Sequence, residues 1–220
     1  MTPAADPFQT NVARLALDAT REHGFALAGG HALIAHGIVS RSTEDVDLFT
    51  NADGAVQAAA QLVEGRLADA GFDVDVIPET SELGELFYGF ERDMVEFEVR
   101  KDDKVMRLQL CRFDRSRSPV MMAIGPVLHV DDVVGSKVAA MATRAEPRDF
   151  IDVAAALDRF DPKQLMELAS RADPALTDEE FADALRRFDR LDNEVFETLY
   201  GRTSEECAEI RRRFANWPRT

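Results

Sequence analysis

The sequence predicts an α+β protein, a mixed sheet with helices followed by a mainly helical C-terminal region. Three observations carry this. Short runs with a side-chain period of two, such as Asp45-Val46-Asp47-Leu48-Phe49, alternate with longer amphipathic stretches in the first half. Glycines close those stretches at Gly24, Gly37 and Gly71. Beyond Pro126 nearly all apolar spacing turns helical.

Taken in order, Phe8, Val12, Leu15, Leu17 and Ala19 mark an amphipathic helix over 8–23, ended by Gly24. Phe25-Ala26-Leu27-Ala28 reads as a short buried strand running into Gly29-Gly30. A second helix is expected over His31–His36, then a strand at Asp45–Thr50 and a helix over Ala55–Ala70. Phe72, Val74 and Val76 alternate with Asp73 and Asp75, a further strand. The alternations at Val95–Val99 and Met106–Leu110 flank Lys101-Asp102-Asp103-Lys104, which reads as a hairpin turn. A brief strand at Val127–Val130 precedes helical patterns over 132–143, 148–159, 162–171, 178–189, 193–199 and 204–217. Pro147, Pro162 and Pro174 fall near the expected helix starts, and Thr177 with Glu180 forms a capping-box signature.

Composition narrows the function classes. At 220 residues the chain can bury a sizeable core, and its 45% apolar and 30% charged residues describe an ordinary soluble protein. No apolar run approaches the roughly 20 residues of a membrane span. The N-terminal residues lack the basic-then-apolar order of a signal peptide, so a cytoplasmic setting is expected, with no membrane partner. Cys111 and Cys207 are too few and too far apart for a disulfide framework or zinc site, and the four histidines lack ligand spacing. No Gly-x-Ser-x-Gly elbow or Walker A lysine motif is present.

The net charge of −15 disfavours general nucleic-acid binding. Its distribution is uneven, however. Residues 1–100 carry 6 basic and 18 acidic side chains, whereas residues 101–125 carry 6 basic and 3 acidic. Arg107, Arg112, Arg115 and Arg117 therefore interrupt an acidic half, and Arg211-Arg212-Arg213 forms a second basic run. Either is a local path for phosphate or a solvated face.

Chemistry is concentrated at Gly29-Gly30-His31-Ala32-Leu33 and at Arg41-Ser42-Thr43-Glu44-Asp45-Val46-Asp47-Leu48-Phe49. On a strand, Asp45 and Asp47 share one face while Val46 and Leu48 enter the core. Adjacent carboxylates repel unless a cation neutralises them, and hard oxygen donors suit Mg2+. The glycine pair lets backbone approach a phosphate. Two surface acids beside a half-buried strand are the plainer reading of Asp-x-Asp alone; the upstream glycine turn favours a nucleotide site.

At these residues the sequence resembles the nucleotidyltransferase superfamily that shares the DNA polymerase β catalytic fold. That superfamily carries a helix-opening Gly-Gly or Gly-Ser, a gap, then Asp-hydrophobic-Asp-hydrophobic. Here the gap, His31 to Glu44, is long. A second block, Gly135-Ser136-Lys137 through Ala140 and Arg144 to Arg148-Asp149-Phe150-Ile151-Asp152-Val153, resembles the AbiEii-type nucleotidyltransferase toxins, which include the mycobacterial MenT toxins. The likeness is strong over residues 25–50 and 127–157 and elsewhere one of layout.

The resemblance implies a polymerase β-like catalytic half over residues 1–125 and a helical half over 126–220 that contributes Lys137 and Asp149 to the active cleft. It implies a metal-dependent nucleotidyltransferase, the toxin of a toxin–antitoxin or phage-defence system with a cognate antitoxin, moving a nucleotide from an NTP to RNA such as a tRNA 3′ end. Asp45 and Asp47 would hold Mg2+ or Mn2+ and, with Lys137 and Asp149, form the catalytic set. Gly29, Gly30, Arg41, Ser42, Thr43, Arg144 and Asp152 would bind nucleotide. A phosphate on Thr43 would repel the incoming triphosphate.

At helical spacing Lys137, Met141 and Arg144 share a face, so both cations can meet a triphosphate. Asp149 and Asp152 share another, orienting Lys137 or accepting a proton. The structural alternative has Asp149 as a helix cap and Arg144 paired with Asp152. The superfamily's third carboxylate is missing: the matching outward position is Gln109, with Glu96 and Glu98 on the preceding strand as substitutes. Two rival functions remain: transfer to a cationic small molecule such as an aminoglycoside, and a catalytically inactive binding module.

Overall fold

The computed structural model describes residues 6–78, 93–217 and 219. The chain divides into two compact units, Met1–Val130 and Asp131–Thr220.

The first unit is built on a seven-stranded mixed sheet. Helix α1 (Pro7–Ala19) starts where the Asp6 side chain accepts from the Phe8 amide at 2.7 Å, with Pro7 preset for the first turn. It stops earlier than the sequence pattern suggests: a 3-10 turn (Arg21–His23) and Gly24 in the left-handed region follow. Strand β1 (Ala26–Leu27) leads into helix α2 (Gly29–Ala35), which opens two residues before the expected His31. Then come β2 (Asp45–Thr50), α3 (Ala55–Asp69), β3 (Asp73–Val76), β4 (Met94–Lys101), β5 (Lys104–Arg112), β6 (Val120–Met122) and β7 (Gly125–Val127). The predicted β4–β5 hairpin forms, Lys101 facing Lys104 with Asp102 at φ 55 in the turn.

Strand order is β3-β4-β5-β2-β1-β7-β6. The central pair, β2 and β5, runs parallel, while β1 runs antiparallel to β2. This register stacks Val46 beside Leu108 and Phe97, and Leu48 beside Leu110. These side chains are buried, as are Val12, Ala13 and Ala16 of α1 and Val56, Val63 and Leu67 of α3. Burying that row fixes register, because a slip of one residue would turn every apolar side chain outward. Asp45 and Asp47 consequently face the other side. The β6 edge strand went unpredicted, since three residues are too few to display alternation.

The second unit is helical: α4 (Val130–Thr143), α5 (Pro147–Ala156), α6 (Pro162–Ala172), α7 (Asp178–Arg190), α8 (Asn193–Tyr200) and α9 (Ser204–Arg213). Capping boxes open three of these helices, at Asp161/Gln164, Thr177/Glu180 and Thr203/Glu206. Phe150 stacks on Phe188 with ring centroids 4.5 Å apart, and Phe214 meets Phe188 and Trp217 edge-on at 5.2 Å each. This aromatic cluster is the unit's core.

Candidate active site

The first unit gathers Gly29, Gly30, Arg41, Thr43, Asp45 and Asp47 where α2 opens beside β2. The Ala28 amide donates to the Asp47 carbonyl at 2.8 Å, bringing the helix start against the strand. Gly29 has φ 55, and a Cβ there would stand 1.7 Å from Asp47 Oδ2. The Asp47 carboxylate thus occupies space that only glycine leaves open. Gly30 performs the same service for Thr43, whose Oγ1 lies 2.7 Å from where a Cβ would be, with an Arg41 guanidinium nitrogen at 3.6 Å. Arg41 Nη1 donates to the Ser42 carbonyl at 2.8 Å, and Gln9 Nε2 to the Thr43 carbonyl at 2.8 Å, tying the loop ahead of β2. Ser42 itself is exposed.

His31 has a role that residue spacing did not reveal. Its Nδ1 donates to the Asp45 carbonyl at 3.0 Å, and the ring is 6% exposed. Burial, first, and the nearby Arg41 charge hold its pKa below the ordinary histidine value, outweighing the bond to Asp45. The neutral ring therefore carries its proton on Nδ1. Nε2 is buried without a hydrogen-bond partner among the described residues. A signal existed in the sequence, a histidine immediately after the glycine pair, but its target lies 14 residues away.

Across the sheet, Asp47 pairs with Gln109, and Gln109 with Glu96. Paired residues share a face, so Gln109 stands where a third acid would flank Asp47, and Glu96 is one strand further off. Glu96 is engaged by Arg107 Nη1 at 3.3 Å, and Glu98 by Arg100 Nη1. Among the described residues, no group of three or more His, Cys, Asp or Glu side chains is placed to hold a metal ion. Two carboxylates on one face, one cradled on glycine backbone, do fit a divalent ion whose other ligands are water and phosphate oxygens. Cys111, two residues beyond Gln109 on β5, senses the charge here. Burial, then Asp47 and Asp93, push its thiol up to about 11. Both cysteines are unbridged thiols.

The second unit places the other predicted residues together. Arg144 grips Asp149 in a fork, Nε to Oδ2 and Nη2 to Oδ1, each at 2.8 Å. Lys137 Nζ lies 3.4 Å from Asp149 and 3.3 Å from Asp152. Both carboxylates are fully buried, and the Lys137 side chain is 12% exposed. Burial opposes ionisation of Asp149, but Arg144 and Lys137 outweigh it and hold the carboxyl below the usual range. Such an acid is a poor proton acceptor and a firm anchor for cations. Helical spacing pointed to Asp152 as a partner of Arg144; the bidentate fork is with Asp149.

A glycine-opened helix thus lies against a strand that carries two aspartates on one face. The profile described as "Nucleotidyl transferase AbiEii toxin, Type IV TA system" matches residues 12–205, so the chain belongs to the AbiEii nucleotidyltransferase toxin family. Solved structures are similar in fold. JHP933 from Helicobacter pylori aligns with a TM-score of 0.60 at 14% identity, over 96% of this chain and 91% of its own. MenT4, a nucleotidyltransferase toxin from Mycobacterium tuberculosis H37Rv, aligns at 0.53 and 15% identity, over 96% and 85%. Among curated proteins, none matches the sequence. Among the described residues, no helix is long and apolar enough to cross a membrane.

Proposed function

We propose that this nucleotidyltransferase moves a nucleotide from an NTP to an RNA acceptor, as the toxin of a toxin–antitoxin pair. The observation that carries this reading is the seating of Asp47 on the Gly29 backbone, beside Asp45 on one face of β2. Asp45 and Asp47 would hold Mg2+ or Mn2+, which neutralises charge on the reacting phosphate when bound. Gly29 and Gly30 present backbone to the terminal phosphates, and Arg41 and Thr43 border them. His31 holds the Asp45 carbonyl and so steadies the strand that carries both acids. For Lys137 and Arg144 we propose a part in binding the triphosphate, with Asp149 and Asp152 orienting the two cations. Catalysis of this kind is largely positioning and electrostatics.

Two rival readings have specific support. The charge of −15 would attract a cationic acceptor such as an aminoglycoside. Gln109 in place of a third acid would suit an inactive binding module. One experiment separates all three: each α-labelled NTP is incubated with the protein, a divalent ion and either total RNA or an aminoglycoside panel. Label on RNA, lost in Asp45→Asn and Lys137→Ala variants that melt like the parent, is the expected result. Label on an aminoglycoside, or on neither acceptor, overturns it.

A further inference from the structure

The two aspartates of β2 are held by different devices. Strand β1 ends at Leu27, and its pairing with β2 reaches only Leu48 and Phe49. Backbone groups two residues apart on a strand face the same edge, so the Asp45 and Asp47 carbonyls both point toward β1. The Ala28 amide meets the Asp47 carbonyl at 2.8 Å and extends the ladder by one bond. Asp47 has a second fixed contact, its carboxylate against the Gly29 backbone. The chain then turns into α2 at Gly29, so β1 has ended before Asp45 is reached.

His31 takes over there. Its Nδ1 donates to the Asp45 carbonyl at 3.0 Å, a side-chain donor where a neighbouring strand would supply an amide. The rest of the ring shows that packing alone does not account for a histidine. His31 is 6% exposed, in a helix whose Ala32 and Leu33 are also buried. Its Nε2 is buried with no hydrogen-bond partner among the described residues. A buried nitrogen in that state costs stability that an apolar ring of similar size would not. Packing favours phenylalanine at this position; the donor aimed at Asp45 favours histidine.

We propose that His31 is a positioning residue for the divalent ion: its Nδ1–H fixes the backbone of Asp45 and thereby sets the affinity of the Asp45–Asp47 pair for Mg2+ or Mn2+. The inference rests on the metal reading above and deepens it, assigning the affinity to a side chain that is not itself a ligand. A carboxylate on a backbone free to shift meets the ion in many orientations, and hydrogen bonds behind the ligands remove that freedom.

The test compares His31→Phe and His31→Leu, which lack the donor at two side-chain sizes, with His31→Asn, whose amide N–H lies near the position of Nδ1. Mn2+ alone is the probe, its binding followed by the EPR signal of the free ion, and each protein is also melted in chelator. The expected result is a half-saturating Mn2+ concentration raised about tenfold in His31→Phe and kept near the parent value in His31→Asn. Melting temperatures should rank the other way, since His31→Phe keeps the ring volume and His31→Asn leaves a gap. Unchanged Mn2+ affinity in a folded His31→Phe or His31→Leu protein overturns the proposal. So does a loss of affinity in all three variants that follows their melting temperatures, the mark of a purely structural role. Should only His31→Asn fold, the donor holds the fold rather than the ion's ligand, which also overturns it. Mn2+ binding by the parent that Asp45→Asn leaves unchanged would instead remove the metal reading on which the inference rests.

Discussion

The Asp47 carboxylate lies against Gly29, with one oxygen 1.7 Å from where any Cβ would be built. These residues are 18 apart in sequence, yet a side chain at Gly29 has no room unless Asp47 moves. Gly29→Ala meets both a steric block and a φ of 55, which costs an L residue about 1–2 kcal/mol. The larger effect is on activity. Displacing Asp47 by about 1 Å should lower turnover about a hundredfold while the protein still melts cooperatively, as kinetics and thermal melts on one preparation would record.

Gln109 offers the opposite manipulation. It faces Asp47 across the parallel β2–β5 pair, so Gln109→Glu would add a carboxylate to that row. Three like charges repel without a cation, and the variant should melt lower in chelator than the parent. Added Mg2+ or Mn2+ should reverse that loss, and the half-activating metal concentration should fall by about tenfold. Metal titrations of melting temperature and of turnover check both.

Cys111 reports on the same charge without any turnover. Burial and the Asp47 and Asp93 carboxylates push its thiol up to about 11. Removing a negative charge favours the thiolate, so Asp47→Asn should lower this value and speed iodoacetamide alkylation near pH 9 severalfold. Divalent metal should accelerate alkylation in the parent and leave the Asp47→Asn rate unchanged. A Cys207→Ser background isolates the signal.

Asp149 governs the second unit's stability. Asp149→Ala takes a buried partner from Lys137, which keeps Asp152, and ends the Arg144 fork; loss of one member of a buried pair costs about 3 kcal/mol. The pH dependence has a definite sign. The native carboxyl sits below its unfolded value, so its contribution is complete above the ordinary aspartate range and disappears as pH falls through the native value. Arg144→Gln removes the forked bond and leaves burial less opposed, moving that loss to higher pH. Urea midpoints from about pH 6 down to about pH 2.5 in both proteins would show it.

Much of this was legible locally. The period-two run from Asp45 assigns the two acids to one face before any contact is known, because side-chain alternation is a property of the strand backbone. The capping box at Thr177 and Glu180 is likewise written in a four-residue pattern. Family membership was legible too, through two separated motifs. Alternation along β5 also pointed to Gln109 as the outward position, and the register pairs it with Asp47.

What required the folded chain was every relation across distance. Spacing placed α2 at His31, but contact with β2 starts it at Gly29. Spacing did not reveal that Arg144 forks onto Asp149. Nothing near His31 names the Asp45 carbonyl as its acceptor. Periodicity follows from short-range sterics that each segment carries alone. Register and cavities follow from which apolar faces bury one another, and only tertiary packing decides that.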